Sequence, residues 1–425
     1  MGKKQSKQNS LSLVLPPSKC PDHIQIPITL DDSSRFSFLG NHTFLIPTVQ
    51  LDDVLRRLEC TSEWIPIEFA VNNLNATNRI VAFGHSESLV VIVTDDFKVF
   101  CAGKSSELNN TGNNATWRDF KKIKNTFTEV IKSVYCIKES ILFTTVDGQV
   151  YAYSNSKTAK LGLGEAIATM EPVKVEKADI FEKGLAEEIP LPKIKSISFS
   201  ENITAFISEE GKVFVCGYGS GDKWKFPIKD EDETPFKRLD TPALVKSLLK
   251  NKVIKQVACG FYHMLFLTDN GELYVCGNNE FGQLGNGKNE NVEGCVKRVK
   301  FGIGVKHIAA SNNFSVIVTE DNQIYRFGDL SWQVKNNPTT FNLPTLLTEY
   351  TEVGNPPVKS IYAVQSGVVI QTESDEIYMI GPLEAKLGFE AFRKLSILKG
   401  DGEISLSITS NSIVCDYDSN KKYKF

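Results

Sequence analysis

What most constrains this chain is a hairpin that it repeats. The best-formed copy spans residues 255–287, KQVACGFYHMLFLTDNGELYVCGNNEFGQLGNG. It reads as a strand, a turn and a returning strand, followed by a glycine-rich loop. Val257, Cys259, Met264 and Phe266 alternate with less apolar neighbours, the period-2 pattern of a pleated strand. Asp269-Asn270-Gly271 suits a hairpin turn, because Asn and Gly tolerate positive φ. Leu273, Val275 and Gly277 carry the return, and the tail to Gly285 is too rich in glycine for an element interior. One such unit cannot bury its own faces, so it must be one of several.

Six further copies align on the turn and the closing residue. Five of them end at Gly103, Ser154, Gly217, Gly328 and Gly381, and the last begins at Ile404 and runs to Phe425. With Gly277 in place, the closing residues stand 51, 63, 60, 51 and 53 apart. A period near fifty built of strand and turn predicts an all-β propeller and excludes a helical solenoid.

The run Cys259-Gly260-Phe261-Tyr262-His263, then Gly277, Asn279 and Gly282-Gln283-Leu284-Gly285, resembles the regulator of chromosome condensation repeat. The other copies are degenerate: Lys160-Leu161-Gly162 and Lys386-Leu387-Gly388 echo its Gln-Leu-Gly loop. The periodicity covers residues 35–425. The resemblance implies a seven-bladed β-propeller closed by pairing N-terminal strands, around Phe36–Leu39 or Phe44–Val49, with the blade formed by 404–425. It also implies that Cys259, Gly260, His263, Gly277, Asn279, Gly282, Gln283, Leu284 and Gly285 are structural residues of the repeat, not catalytic ones.

The chain has 425 residues, so several domains would be the default, but a propeller is one unit because each blade packs on its neighbours. We read 1–34 as an N-terminal arm and 35–425 as one propeller with long insertions at about 41–78, 104–132, 163–193, 218–251 and 329–358. A net charge of −3 argues against nucleic acid as a partner. Nine cysteines without a close CxxC pair read as small buried residues, since Cys136 and Cys259 share one repeat position and Cys216 and Cys276 another. No metal or other cofactor is expected, and a reducing setting is, in the cytoplasm or alternatively the nucleus. Pro242 heads an apolar run to Lys250 that suits a short helix, and the apolar positions 51, 54, 55 and 58 suit another.

Met1-Gly2-Lys3-Lys4-Gln5-Ser6 matches the N-myristoylation pattern, which makes Gly2 a lipidation candidate, and Lys3, Lys4 and Lys7 could add contact with an anionic membrane. The competing reading is a solubilising basic tip.

Enzyme signatures fail in turn. Gly103-Lys104-Ser105 lacks the glycine that a phosphate loop requires at position 98, which is Lys98. Gly217-Tyr218-Gly219-Ser220-Gly221 has no apolar helix after it to present to phosphate. His23, His42, His85, His263 and His307 show no ligand spacing, and Asp95-Asp96 sits in a hairpin turn. Two functions stay open. One is a monomeric, non-catalytic scaffold for protein partners. The other, implied by the resemblance, is a guanine-nucleotide exchange factor for a small Ran-like GTPase. The founding member of the family uses a protruding hairpin wedge for that role, and no segment of this sequence reads as its counterpart.

Overall fold

The computed structural model describes residues 42–47, 64–66, 392–395, 403–408, 413–418 and most of 80–380. Within 80–380 the larger stretches left out are 104–120, 155–160, 219–225, 229–237 and 330–339. Residues 1–41, with Gly2 and Phe36–Leu39, and the stripe at 51–58 lie outside the described residues.

The protein is all-β, a ring of antiparallel sheets. Among the described residues, six blades come from contiguous stretches of chain and a seventh sheet joins strands from the two ends. The first blade runs β3 (Ile80–His85), β4 (Leu89–Thr94), β5 (Val99–Gly103) and β6 (Lys121–Ile123). The second is β7 (Ile131–Ile137), β8 (Ser140–Thr145), β9 (Val150–Ser154) and β10 (Val173–Lys174). The third has six strands, β11 (Lys177–Glu182), β12 (Leu185–Pro190), β13 (Ile194–Phe199), β14 (Ile203–Ser208), β15 (Val213–Tyr218) and β16 (Arg238–Leu244). The fourth is β17 (Ile254–Cys259), β18 (His263–Thr268), β19 (Leu273–Gly277) and β20 (Val292–Val299). The fifth is β21 (Val305–Ala310), β22 (Phe314–Thr319), β23 (Ile324–Asp329) and β24 (Thr340–Leu346). The sixth is β25 (Val358–Val364), β26 (Gly367–Thr372), β27 (Ile377–Ile380) and β28 (Phe392–Leu395). The seventh sheet has the order β2-β1-β30-β29, from β1 (His42–Pro47), β2 (Trp64–Pro66), β29 (Glu403–Ile408) and β30 (Ile413–Asp418).

Each repeat is therefore three strands, not two. The run from Val257 to Phe266 breaks into β17 and β18, which pair antiparallel with Cys259 opposite Met264. Gly260, Phe261 and Tyr262 make the reversal, with the Gly260 N–H donating to the His263 carbonyl at 2.9 Å. The fourth strand of each blade lies in a stretch with no hairpin signature. Arg238–Leu244 is one of these, and it runs as a strand through Pro242 where a helix is expected from there on.

The middle strands are buried on both faces: SILFTT, ITAFIS, HMLFLT, FSVIVT and GVVIQT are buried throughout, and so are Val91, Ile92, Val93 and Thr94 of β4. Alternation gives way to nearly continuous apolar runs because a propeller blade is packed between two others. The core follows the same logic: one apolar cluster joins the first two blades, another the fifth and sixth. The turns after the middle strands recur too. Thr94, Thr145 and Thr268 donate to Asp96, Asp147 and Asn270, each at 2.5 Å, so the Asp and Asn side chains of the turns brace the hairpins.

Ring closure uses the second of the two expected segments. β1 pairs antiparallel with β30, from His42 opposite Asp418 to Leu45 opposite Cys415. A chain lacking residues 1–50 loses that strand, so it is expected to unfold cooperatively at a temperature lower by roughly 5 °C or more, as followed by calorimetry. An unchanged transition would show that the seventh sheet holds without β1.

Candidate functional site

The residues singled out by the repeat motif gather where the fourth blade meets the fifth. His263 opens β18 with no exposure to solvent, and its Nε2 lies 2.9 Å from Ser315 Oγ on β22. The Ser315 hydroxyl donates to the carbonyl of Gln283 at 2.8 Å. Its one proton is thus committed, so the His263 Nε2–H must donate to Ser315. The imidazole is neutral, because burial drives its pKa down to about 3. Nδ1 finds no hydrogen-bond partner among the described residues. A buried neutral ring of this kind holds two blades together and has no access to a substrate proton.

Gly260 exists for that ring. A Cβ there would run into His263 Cε1 and Nδ1, so only glycine lets the backbone pass beneath the imidazole.

The loop after Gly277, itself opposite His263 at the end of β19, is held by its own amides. Asn279 donates through Nδ2 to the carbonyls of Lys288 and Glu290 at 2.7 and 3.1 Å, and its Oδ1 accepts from the Leu284 N–H at 2.9 Å. Gln283 Nε2 donates to Asn278 Oδ1 at 2.6 Å, while its Oε1 accepts from the Phe281 N–H at 3.0 Å. Gly282 closes a turn by donating to the Asn279 carbonyl at 2.9 Å. Leu284 is fully buried. Gly285 has φ +62°, and a Cβ would stand 2.8 Å from the Phe327 ring of the fifth blade. The motif is a key cut to the neighbouring blade. Ser315, Phe327 and Asn291, which complete it, carried no signal in the sequence, because these partners lie beyond the motif's own copy.

Cys259 sits on β17 with its Sγ 3.6 Å from the Ser198 carbonyl, and burial pushes its thiol up to about 12. The described cysteines, 101, 136, 216, 259, 276 and 295, are all free thiols. No group of three or more His, Cys, Asp and Glu that could hold a metal ion occurs among the described residues.

The third blade carries a feature that the sequence hid. β11 and β12 form a hairpin added to its outer edge, in register from Lys177 opposite Pro190 to Glu182 opposite Leu185. It is attached by a parallel pairing of Asp179 with Ala243 and by Lys246, whose Nζ donates to the Phe181 carbonyl and reaches Glu182 at 3.3 Å. β12 is an edge strand, exposed from Leu185 to Glu188, with Leu185 77% exposed. The segment KADIFEKGLAEEIP has no clean alternation because only one side of the hairpin has a neighbour.

Comparisons with known proteins agree with this architecture. Two models described as regulator of chromosome condensation (RCC1) repeat match residues 254–283 and 270–318, the keyed loop and the blade beyond it. The human E3 ubiquitin-protein ligase HERC2 is 28% identical over 213 residues, which cover 48% of this chain and 4% of that protein. The RCC2 homolog of Xenopus laevis is 36% identical over 123 residues, 29% of this chain and 22% of that protein. The chain thus spans less than a quarter of the length of these curated relatives. The crystal structure of Prp20p from Saccharomyces cerevisiae superposes with a TM-score of 0.61 at 18% identity, covering 91% of this chain and 94% of that one. That likeness shows the fold.

Two outcomes follow from the keyed loop. Gly285→Val should lower unfolding stability by more than about 1 kcal/mol, because both the positive φ and the Phe327 contact oppose a side chain; chemical denaturation reads it directly. The folded-state pKa of His263 lies below its unfolded value, so its contribution is present above about pH 6.5 and fades as pH falls toward 3. Stability measured across that window should fall more steeply for the wild type than for His263→Gln, whatever the offset between them.

Proposed function

Because the chain belongs to the regulator of chromosome condensation repeat family, we propose that it is a non-catalytic scaffold that presents protein-binding surfaces on a rigid ring. The observation that carries this reading is the use made of the motif. Its histidine and glycines are consumed in blade-to-blade packing, its side-chain amides in holding their own loop, and the buried thiols are held protonated by burial. What varies between blades is the outer strand, and the third blade extends its own with the exposed hairpin. Long surface segments on a rigid frame are where recognition resides.

The same hairpin favours a second reading, exchange of guanine nucleotide on a small GTPase. It is an added hairpin, the kind of element that the founding member uses as a wedge, and Prp20p is itself described as binding Gsp1p and histones. Exchange requires no acid–base residue, so a motif wholly occupied in packing is compatible with it.

Nucleotide release from a panel of purified small GTPases separates the two. The scaffold reading expects no acceleration, together with capture of a partner that is lost when residues 177–190 are replaced by a short linker. Acceleration that disappears with the same replacement would establish exchange instead. In either case the N-terminal pattern supports reversible membrane contact through an acylated Gly2, backed by Lys3, Lys4 and Lys7. Mass spectrometry showing an unmodified Gly2 would remove that element.

A further inference from the structure

One position recurs in five consecutive blades. The first strand of each carries a β-bulge near its start, and the residue skipped by the pairing is Lys132, Lys195, Lys255, Lys306 or Lys359. In the first blade the skipped residue is Val81. A bulge leaves one residue outside the ladder and re-aims its side chain. These first strands pack on one another in turn, β7 on β13, β13 on β17, β17 on β21 and β21 on β25, so they form the inner wall of the ring. Equal register in parallel-running strands puts the five lysines at one level, around one mouth of the axis.

The side chains follow the wall. Lys255 Nζ reaches the carbonyl of Lys306 at 3.5 Å, and Lys306 Nζ donates to the carbonyl of Val358 at 3.0 Å, each on the next blade. Lys359 is neutralised by Asp375 at 2.9 Å, and Lys306 also meets Asn322 Oδ1 at 3.4 Å. Asp375 and Asn322 stand sixteen residues beyond their lysines, in the hairpin turn. The second, third and fourth blades have glycine there, Gly148, Gly211 and Gly271. Lys132, Lys195 and Lys255 are exposed, and none of them has a carboxylate partner among the described residues.

Between these cations lies an unsatisfied group. His307, next to Lys306, is half-buried, and its Nε2 has no hydrogen-bond partner among the described residues. Burial opposes its protonation most, Lys306 and Lys255 add to that, and the Val358 backbone and Glu373 work the other way.

We propose that this mouth binds a compact polyanion, several phosphate groups on a small scaffold, seated on the axis within the lysine ring. The charge layout decides against an extended acidic polypeptide. Outside the lysines lie the hairpin turns with Asp147, Glu209, Asp269, Glu320 and Glu373, tied to the starts of the first strands by bonds such as Asp269 N–H to the Val253 carbonyl. A long acidic chain would have to cross that acidic rim. A small anion on the axis meets the unpaired lysines first, with Glu373 and the Lys359–Asp375 pair to one side, and lysines on bulged, exposed positions can turn their ammonium groups toward phosphates at little cost.

Titration calorimetry on the full chain tests this, with inositol hexakisphosphate, inorganic triphosphate and a decaglutamate peptide as probes at about 150 mM salt. Saturable binding of one phosphate probe per chain is expected; which of the two binds distinguishes an inositol-based ligand from a linear polyphosphate. Replacing Lys132, Lys195 and Lys255 together by Gln should weaken binding by roughly tenfold or more, from a few-fold per exposed charge. Lys359→Gln, whose charge Asp375 already holds, should change it by less than about twofold. Glu209→Gln with Glu320→Gln should tighten binding, a gain that a misfolded variant could not give. The His307 ring resonances should titrate at higher pH once the anion is bound. Equal affinity of wild type and triple variant, no binding of either phosphate probe, or tighter binding of decaglutamate would each overturn the proposal.

Discussion

Four residue pairs between β1 and β30, His42 with Asp418 through Leu45 with Cys415, join the two ends of the chain in one sheet. Everything else in the molecule depends on that pairing. A stack of blades has an open face at each end, and each open face exposes the apolar strands that a blade normally buries against its neighbour. Putting both chain ends into one sheet makes closure a matter of backbone hydrogen bonds between distant segments. The ring then has no terminal blade to cap.

Between blades the apolar faces supply most of the adhesion and polar groups set the register. Gln256 donates to the Ile308 carbonyl at 2.8 Å and accepts from the Ile308 N–H at 3.2 Å, a two-point latch from one first strand to the next. The Ser198 hydroxyl accepts from the Cys259 N–H at 3.0 Å at the previous boundary. His263, Ser315 and Gln283 add a third kind of latch. Such groups contribute little net energy while paired, but a buried one left unpaired costs about 1–3 kcal/mol, so a slipped blade is penalised at several places at once. Smooth apolar faces alone would permit slippage.

This division of labour shapes what the protein can do. The inner and middle strands are fully engaged, which makes the frame rigid. Variation is pushed to the outer strands, the hairpin of β11 and β12, and the turns around the axial mouths. Recognition there draws on surface charge and shape, and the ring holds those surfaces at constant separation.

Much of this was legible in the sequence. The seven hairpins, their spacing near fifty, and the Gly-Gln-Leu-Gly loop at 282–285 determined the propeller, because only strands with buried neighbours on both sides need such a repeat. The turn residues Asp269-Asn270-Gly271 were equally plain, since positive φ at Gly271 is a local requirement. Other features belonged to the tertiary structure alone. The break at 260–262 is hidden in an apolar run, and Gly260 makes sense only against the imidazole that folds back over it. The outer strands carry no pattern of their own, for one side of each faces solvent and the pairing partner supplies the order. The hairpin at 177–190 reads as charged filler until Asp179 finds Ala243. The lysines were visible in every copy from Lys132 to Lys359, yet a column of aligned residues has no location. Placing them in one ring took the bulge that frees each side chain and the closure that brings the blades around a common axis.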